Sequence, residues 1–480
     1  MNRAEQLIFS FFPHEPTRGQ REACSSIVDF LFDPDPLSAF LLKGYAGTGK
    51  TSLVAALIKA APHLKIKTLL LAPTGRAAKV LSGYSHKKAF TIHKKIYTTV
   101  TDNNGNVHCI RSQNKNAYTL FIVDEASMIG TSQPEGSFSS RRSLLEDLIE
   151  FVKEGSHCRI MFIGDSAQLP PVGSLESPAL SVDYLQSVGD LKIRQAELTE
   201  VVRQQLMSGI LNNATDIRTR IASDDNYDEV RMPLFNVDAY DDVIKLNGVD
   251  LIDVLNQEYG SRQIEDVVFV CRSNKQANLY NQAIRNRVLY RDNEINTGDY
   301  LMIVKNNYHW LEDDSEIGFI ANGDIVEVLG ARHFEELYGF HFVDVTLRFV
   351  DYPDAPTLDC KIILETLFSE APSLTREESQ LLFSNVLTDY LDLPTKAQQL
   401  NAVKDNPYYN ALQVKFAYAL TCHKTQGGQW PVAFVDQGYL TDDMINRDWL
   451  RWLYTAMTRA TQRLYLLNFN DNFYNADENA

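Results

Sequence analysis

Between Gly44 and Thr51 the chain reads Gly-Tyr-Ala-Gly-Thr-Gly-Lys-Thr. Glycines at Gly44, Gly47 and Gly49 let the backbone curl, so that its N–H groups from Ala46 through Gly47, Thr48 and Gly49 point at phosphate oxygens. Lys50 then reaches the β- and γ-phosphates, and the Thr51 hydroxyl ligates magnesium. Val123-Asp124-Glu125-Ala126-Ser127 adds two adjacent carboxylates after an apolar run. Asp124 suits the Mg²⁺ shell and Glu125 the polarisation of an attacking water, the division of labour that phosphoryl transfer requires. In Gly164-Asp165-Ser-Ala-Gln168-Leu-Pro170-Pro171 the Gln168 amide carries no charge and can sense a γ-phosphate or a water, while Pro170 and Pro171 stiffen the segment after it. The chemistry expected of this set is hydrolysis of ATP with Mg²⁺. If hydrolysis drives motion, arginines must reach the γ-phosphate from a second domain, and Arg203 and Arg459 are the candidates.

The elements that position these groups follow from apolar patterning. Short runs at Phe40–Leu42, Thr68–Leu71, Leu120–Val123 and Ile160–Ile163, then Val267–Val270 and Val432–Val435, alternate with helical patterns. That alternation predicts an α/β fold with parallel sheets in two cores. The P-loop follows the first run and precedes a helix that stops at Pro62, and both carboxylates follow the third. Ligands of open α/β sheets sit at such strand ends. The acidic stretch from Ser223 to Asp266 reads as a loop-like connection between the cores. Tyr97 to Tyr118, with Asn103-Asn104-Gly105-Asn106 at its centre, reads as a protruding β-hairpin. A small β module with a helical stretch from Thr375 to Val403 follows the second core's first strand, and Gly130 to Ser143 reads as a Ser-rich surface loop.

The chain has 480 residues, 44% apolar and 22% charged, which excludes general disorder, collagen and coiled coil. Lys plus Arg number 46 against 62 Asp plus Glu, a net charge of −16, so any polyanion must meet a local patch rather than the whole surface. One patch is evident. His86 to Lys95 holds four lysines and two histidines in ten residues, just after Arg76 and Lys79. The interleaved rings of Tyr84, Phe90 and Tyr97 suit a single strand, with cations on phosphates and rings on bases. Six dispersed cysteines without a CxxC pair signal neither a disulfide framework nor a zinc knuckle and point to a reducing cytoplasm. No apolar stretch is long enough to span a membrane, and Leu7 to Phe12 reads as part of an amphipathic first helix.

The ordered series Gln20, GYAGTGKT, APTGRAA (72–78), FTIH (90–93), VDEAS, GDSAQLPPV, LTEVVRQ, ALTCHKTQG (419–427) and YTAMTRA resembles the motif set of superfamily 1 DNA helicases, most closely the 5′-to-3′ branch of RecD-like and phage Dda-like enzymes. The resemblance runs from about residue 16 to 468. It implies two tandem RecA-like P-loop domains, at 1–200 and at 201–292 with 408–480. It also implies a separating pin at 97–118 and an SH3-like insertion at 293–407. ATP would lie between the domains, with adenine read by Gln20, the γ-phosphate sensed by Gln168, arginine fingers at Arg203 and Arg459, and Gly427 at the nucleotide. Thr74, Arg76, Thr91 and His93 of the first domain, and Asn274, Thr421, His423 and Lys424 of the second, would hold single-stranded DNA, with duplex junctions as the substrate of a monomer. Arg272-Ser273-Asn274 departs from the family's Thr-Asn, which leaves the contact at Asn274 open.

Four rival readings remain. A P-loop kinase or GTPase has no reason for the distal motifs, and a protein-remodelling ATPase would ignore oligonucleotides. A strand-binding clamp would lack the catalytic groups present here. An ATPase stimulated by nucleic acid and remodelling protein–DNA complexes without unwinding would share the motif set.

Overall fold

A computed structural model describes residues 2–474 apart from 102–106, 133–141, 203–206, 224–231, 312–316 and 318. Arg203, the Asn103–Asn106 turn and most of the Ser-rich loop therefore lie outside the described residues.

The first lobe is built on strands β1 (Ser38–Gly44), β2 (Lys67–Ala72) and β3 (Ala89–Thr91). The hairpin β4 (Tyr97–Thr101) and β5 (Val107–Arg111) comes next, then β6 (Thr119–Val123), β7 (Arg159–Gly164) and β8 (Lys192–Leu198). Apart from the hairpin these form one six-stranded parallel sheet, in the order β3-β2-β6-β7-β1-β8. Successive residues of β1 feed opposite faces. Phe40 and Leu42 pack with the helices Arg3–Phe9, Arg18–Leu31 and Lys50–Ala60, whereas Ala39 and Leu41 pack with Leu144–Glu154 and Val182–Gly189. Burial on both faces is what a run without polar alternation encodes, at roughly 1.5–3 kcal/mol per large side chain.

The second lobe adds β9 (Val243–Leu246) and β10 (Val267–Cys271). A closed barrel follows, of β11 (Tyr300–Ile303), β12 (Ile325–Leu337), β13 (Phe340–Phe349), β14 (Leu358–Ile363) and β15 (Leu412–Phe416). The chain then returns to β16 (Ala419–Thr421), β17 (Trp430–Asp436) and β18 (Ala460–Leu467). The second sheet is again parallel, ordered β16-β10-β17-β18-β9. The architecture is thus two tandem RecA-like lobes with a closed five-stranded barrel inserted in the second. The six apolar runs all lie on parallel strands. The stretch expected to be loop-like holds an edge strand, β9, and the helix Leu251–Ser261, neither of which has a long apolar run.

The barrel and the second sheet share one core, because Phe269 and Phe434 belong to the same cluster as Leu301, Val326 and Val345. A buried ion cluster fastens the same junction: Asp299 accepts from Arg285 (3.0 Å), Arg291 (2.9 Å) and the Tyr418 hydroxyl (2.8 Å). The barrel's last strand, β15, ends at Phe416, beyond the expected boundary at 407. The helices Arg376–Thr388 and Lys396–Asp405 pack on the long β12–β13 hairpin around Phe340, Phe342 and Val386. In the first lobe, the base of the β4–β5 hairpin is tied to the helix Leu144–Glu154 by the Tyr97 hydroxyl on Asp147 (2.7 Å) and Arg111 on Glu154 (2.6 Å).

Candidate nucleotide and strand site

Because both sheets are parallel, the motif residues gather at carboxyl edges. β1 ends at the phosphate loop, β6 at Asp124 and Glu125, and β7 at Asp165. Gly49 caps the helix Lys50–Ala60 with φ +79°, and a Cβ there would stand 2.2 Å from Gln20 Nε2, so both conformation and space demand glycine. Gln20 is wholly buried beneath the loop. Its Oε1 accepts from the Thr17 N–H (2.9 Å) and its Nε2 donates to the Thr48 carbonyl (3.1 Å). It clamps the loop, and reading adenine would require it to leave these bonds. Thr51 is exposed in the first helical turn. The Lys50 ammonium donates to the carbonyls of Gly44 and Tyr45 and lies 4.0 Å from Asp165.

The Asp124 carboxylate accepts from the Tyr84 hydroxyl (2.7 Å) and from the Glu125 N–H (2.9 Å). Burial pushes Asp124 above the usual carboxylate range, and burial together with the Asp124 charge pushes Glu125 up to about 7, while Arg459 and Lys50 pull it back. A group poised there suits a general base working near neutral pH. Glu125 also adopts φ +51°, a left-handed conformation that non-glycine residues enter at a cost and that recurs at functional sites. The Oε1 of Gln168 and the Oγ of Ser127 are buried without a hydrogen-bond partner, unspent polar atoms beside the phosphate loop.

The second lobe faces this edge. Arg459 is buried, with Nε on the Thr455 carbonyl (2.9 Å) and Nη1 on the Gly428 carbonyl (3.0 Å), and its charge acts on Glu125. Gly427 has φ +72°, and a Cβ there would lie 2.8 Å from Ala77 of the first lobe, so the lobes touch at this glycine. Thr455 accepts from the Leu169 N–H (2.8 Å) and Gln426 donates to the Leu169 carbonyl (2.6 Å). A cavity of about 220 Å³ opens beside the phosphate loop, lined by Tyr45, Asp165, Gln168, Arg218 and Arg451.

The remaining motif residues occupy matching places in the two sheets. Thr74 and Thr91 cap helices after β2 and β3, accepting from the Ala77 and Lys94 N–H groups, while Asn274 begins the helix after β10 and Thr421 is the last residue of β16. His423 and Lys424 are exposed, and Lys424 donates to Asn322 of the barrel side (2.6 Å). Burial pushes His93 down to about 4. Arg76 and Lys79 face Asp351 of the barrel at 3.5 and 3.6 Å, and Arg76 lies over the Trp430 ring at 4.7 Å.

The basic run does not form one stripe. Lys87 turns back onto Thr68 (2.6 Å), and Lys94 sits 3.9 Å from the Tyr352 ring of the barrel. Only Lys88 and Lys95 flank Phe90, at 5.8 and 5.4 Å. Tyr84, expected to stack on bases, serves Asp124 instead. Sequence reasoning missed Tyr84 in this role, Tyr454 and the cation–π pair of Arg218 with Tyr45 (4.6 Å). Tyr454 opens the YTAMTRA run, a signal that could have found it.

Residues 17–228 match the model of an AAA domain, and residues 416–467 match that of a UvrD-like helicase C-terminal domain. An uncharacterized protein of Acanthamoeba polyphaga mimivirus is 22% identical over 93% of this chain and 98% of its own length. The ATP-dependent RecD2 DNA helicase of Deinococcus radiodurans is 25% identical over 68% of this chain, which spans 43% of that helicase. The ATP-dependent DNA helicase Dda of Enterobacteria phage T4 is 27% identical over 66% of this chain and 68% of its own length.

Proposed function

We infer that the chain is a superfamily 1 DNA helicase, homologous to the RecD2 and Dda enzymes, that hydrolyses ATP to move along single-stranded DNA and separate duplex. One observation carries this reading: the groups suited to phosphate and those suited to a strand share the cleft between the same two lobes. The charge of Arg459 acts on Glu125 across it, and Gly427 of the second lobe sits against Ala77 and Thr74 of the first, where the strand-facing groups of the first lobe begin. Thr51, exposed in the first helical turn after the phosphate loop, and Asp124, at the carboxyl end of β6, would hold Mg²⁺. When bound, the ion neutralises charge on the β- and γ-phosphates. Lys50 grips the phosphates, Glu125 takes the proton of the attacking water, Gln168 senses the γ-phosphate, and Arg203 and Arg459 tie closure to its presence.

Closing and opening the cleft then alternates the grip of the two lobes on the strand backbone, with little regard to sequence because phosphate contacts carry no base information. No helix among the described residues is long and apolar enough to cross a membrane, and all six cysteines are buried free thiols, which fits a reducing cytoplasm. Travel is assigned 5′ to 3′, by a monomer. With ATP and Mg²⁺, the chain should unwind a duplex bearing a 5′ tail and leave one bearing a 3′ tail intact. Equal or reversed preference would overturn the direction. Hydrolysis without unwinding of either would favour the remodelling of protein–DNA complexes.

Asp351 competes with a strand for Arg76 and Lys79. Asp351→Asn should therefore tighten oligonucleotide binding about threefold to tenfold at low salt and steepen its salt dependence, measured by fluorescence anisotropy. Weaker binding would mean that Asp351 instead positions these cations for the strand.

A further inference from the structure

One of the side chains by which the second lobe reaches the phosphate loop is a phenol. Tyr454, in the helix Arg447–Met457, is buried with 1% of its surface exposed. Its hydroxyl accepts from the Ala46 N–H at 2.8 Å and donates to Asp165 Oδ2 at 2.7 Å. Both partners belong to the first lobe and neither is idle. Ala46 is the third residue of the phosphate loop. Asp165 lies 4.0 Å from the Lys50 ammonium, and its Oδ1 accepts from the Ala167 N–H (2.9 Å) while its carbonyl accepts from the Gln168 N–H (3.4 Å). One oxygen thus joins the loop that grips phosphate, the counter-ion of its lysine and the turn that aims Gln168.

We propose that Tyr454 is a positioning residue for ATP hydrolysis, whose hydroxyl makes the geometry of the phosphate loop and of Gln168 depend on closure of the lobes. The hydroxyl belongs to the second lobe, so its two bonds exist only while the lobes are together. When they part, Ala46 loses an acceptor and Asp165 loses the donor on its Oδ2, the oxygen that faces Lys50, keeping only the Ala167 N–H on Oδ1. Lys50 held by Asp165 is then less free for phosphate. Closure restores the phenol to Asp165 and relieves the lysine of that task. The neighbouring Thr455 bond to Leu169 fixes the far end of the same loop, so the phenol acts on a segment held at both ends.

The inference rests on the cleft being the ATP site, and the experiment separates the two. Tyr454→Phe keeps the ring and its packing and deletes the hydroxyl. With saturating oligonucleotide, kcat should fall at least about tenfold while KM for ATP moves less than about threefold, because the hydroxyl acts on the closed state rather than on first contact with nucleotide. Asp165→Asn and the double variant complete a cycle in which the two losses are not additive: Asp165→Asn should cost far less when Tyr454→Phe is already present. A Tyr454→Phe enzyme within twofold of the parent, or additive losses, would overturn the proposal. A matched drop in melting temperature with kcat and KM both altered would assign the residue a purely structural role and also overturn it. Should the parent hydrolyse ATP without response to oligonucleotide, the helicase reading fails, and the same cycle run on unstimulated hydrolysis still decides the role of Tyr454.

Discussion

Lys50→Ala is expected to reduce ATP hydrolysis by a factor on the order of a thousand or more, below detection in a steady-state assay. Lys50 is the side chain of the phosphate loop that can place a full positive charge against the β- and γ-phosphates, and its stem leaves the first turn of a helix whose N-terminus already favours anions. Its present bonds to the Gly44 and Tyr45 carbonyls are made within its own loop, so removing it leaves only backbone acceptors that water can serve. The fold should survive, since Lys50 is partly exposed and its ion-pair partner, Asp165, keeps the Tyr454 hydroxyl and the Ala167 N–H. Near parental turnover in a folded Lys50→Ala protein would remove the phosphate loop from the mechanism.

Glu125→Gln is expected to slow turnover by roughly 10²–10⁴ while ATP and single-stranded DNA still bind. The amide keeps the shape of the side chain and cannot accept the proton of the attacking water. The substitution also removes a carboxylate that repels Asp124, which favours the ionised form of Asp124 and so favours Mg²⁺ at that residue. Nucleotide affinity, followed with a fluorescent ATP analogue, should therefore hold or tighten as kcat falls. Loss of binding together with turnover would show that Glu125 holds the site together instead of acting in the chemical step.

The parallel strands were readable because each is buried on both faces and so leaves an unbroken apolar run: Phe40–Leu42 and Val432–Val435 are of this kind. The motifs were readable because glycine, lysine and carboxylate spacing at a strand end is dictated by the geometry of phosphate. Strands at or near sheet margins were not. β8 reads Lys-Ile-Arg-Gln-Ala-Glu-Leu and β9 has four residues, and each pairs with a neighbour on one side only. Contacts across the cleft were least legible of all. Tyr454 and Ala46 are 408 positions apart, and only the fold says that a loop amide donates to this phenol. The same holds for Asp351, whose pairing with Arg76 and Lys79 depends on where the barrel docks, and for Tyr84, whose spacing suits a strand-facing ring although its hydroxyl serves Asp124.

Steady-state ATP hydrolysis by the intact chain, measured with and without a single-stranded oligonucleotide in the presence of Mg²⁺, addresses the coupling of nucleotide and strand most directly. A shared cleft predicts stimulation of about tenfold or more at saturating strand, since a ligand that favours the closed arrangement of the lobes must favour the arrangement in which Arg459 faces Glu125. An unchanged rate would contradict it.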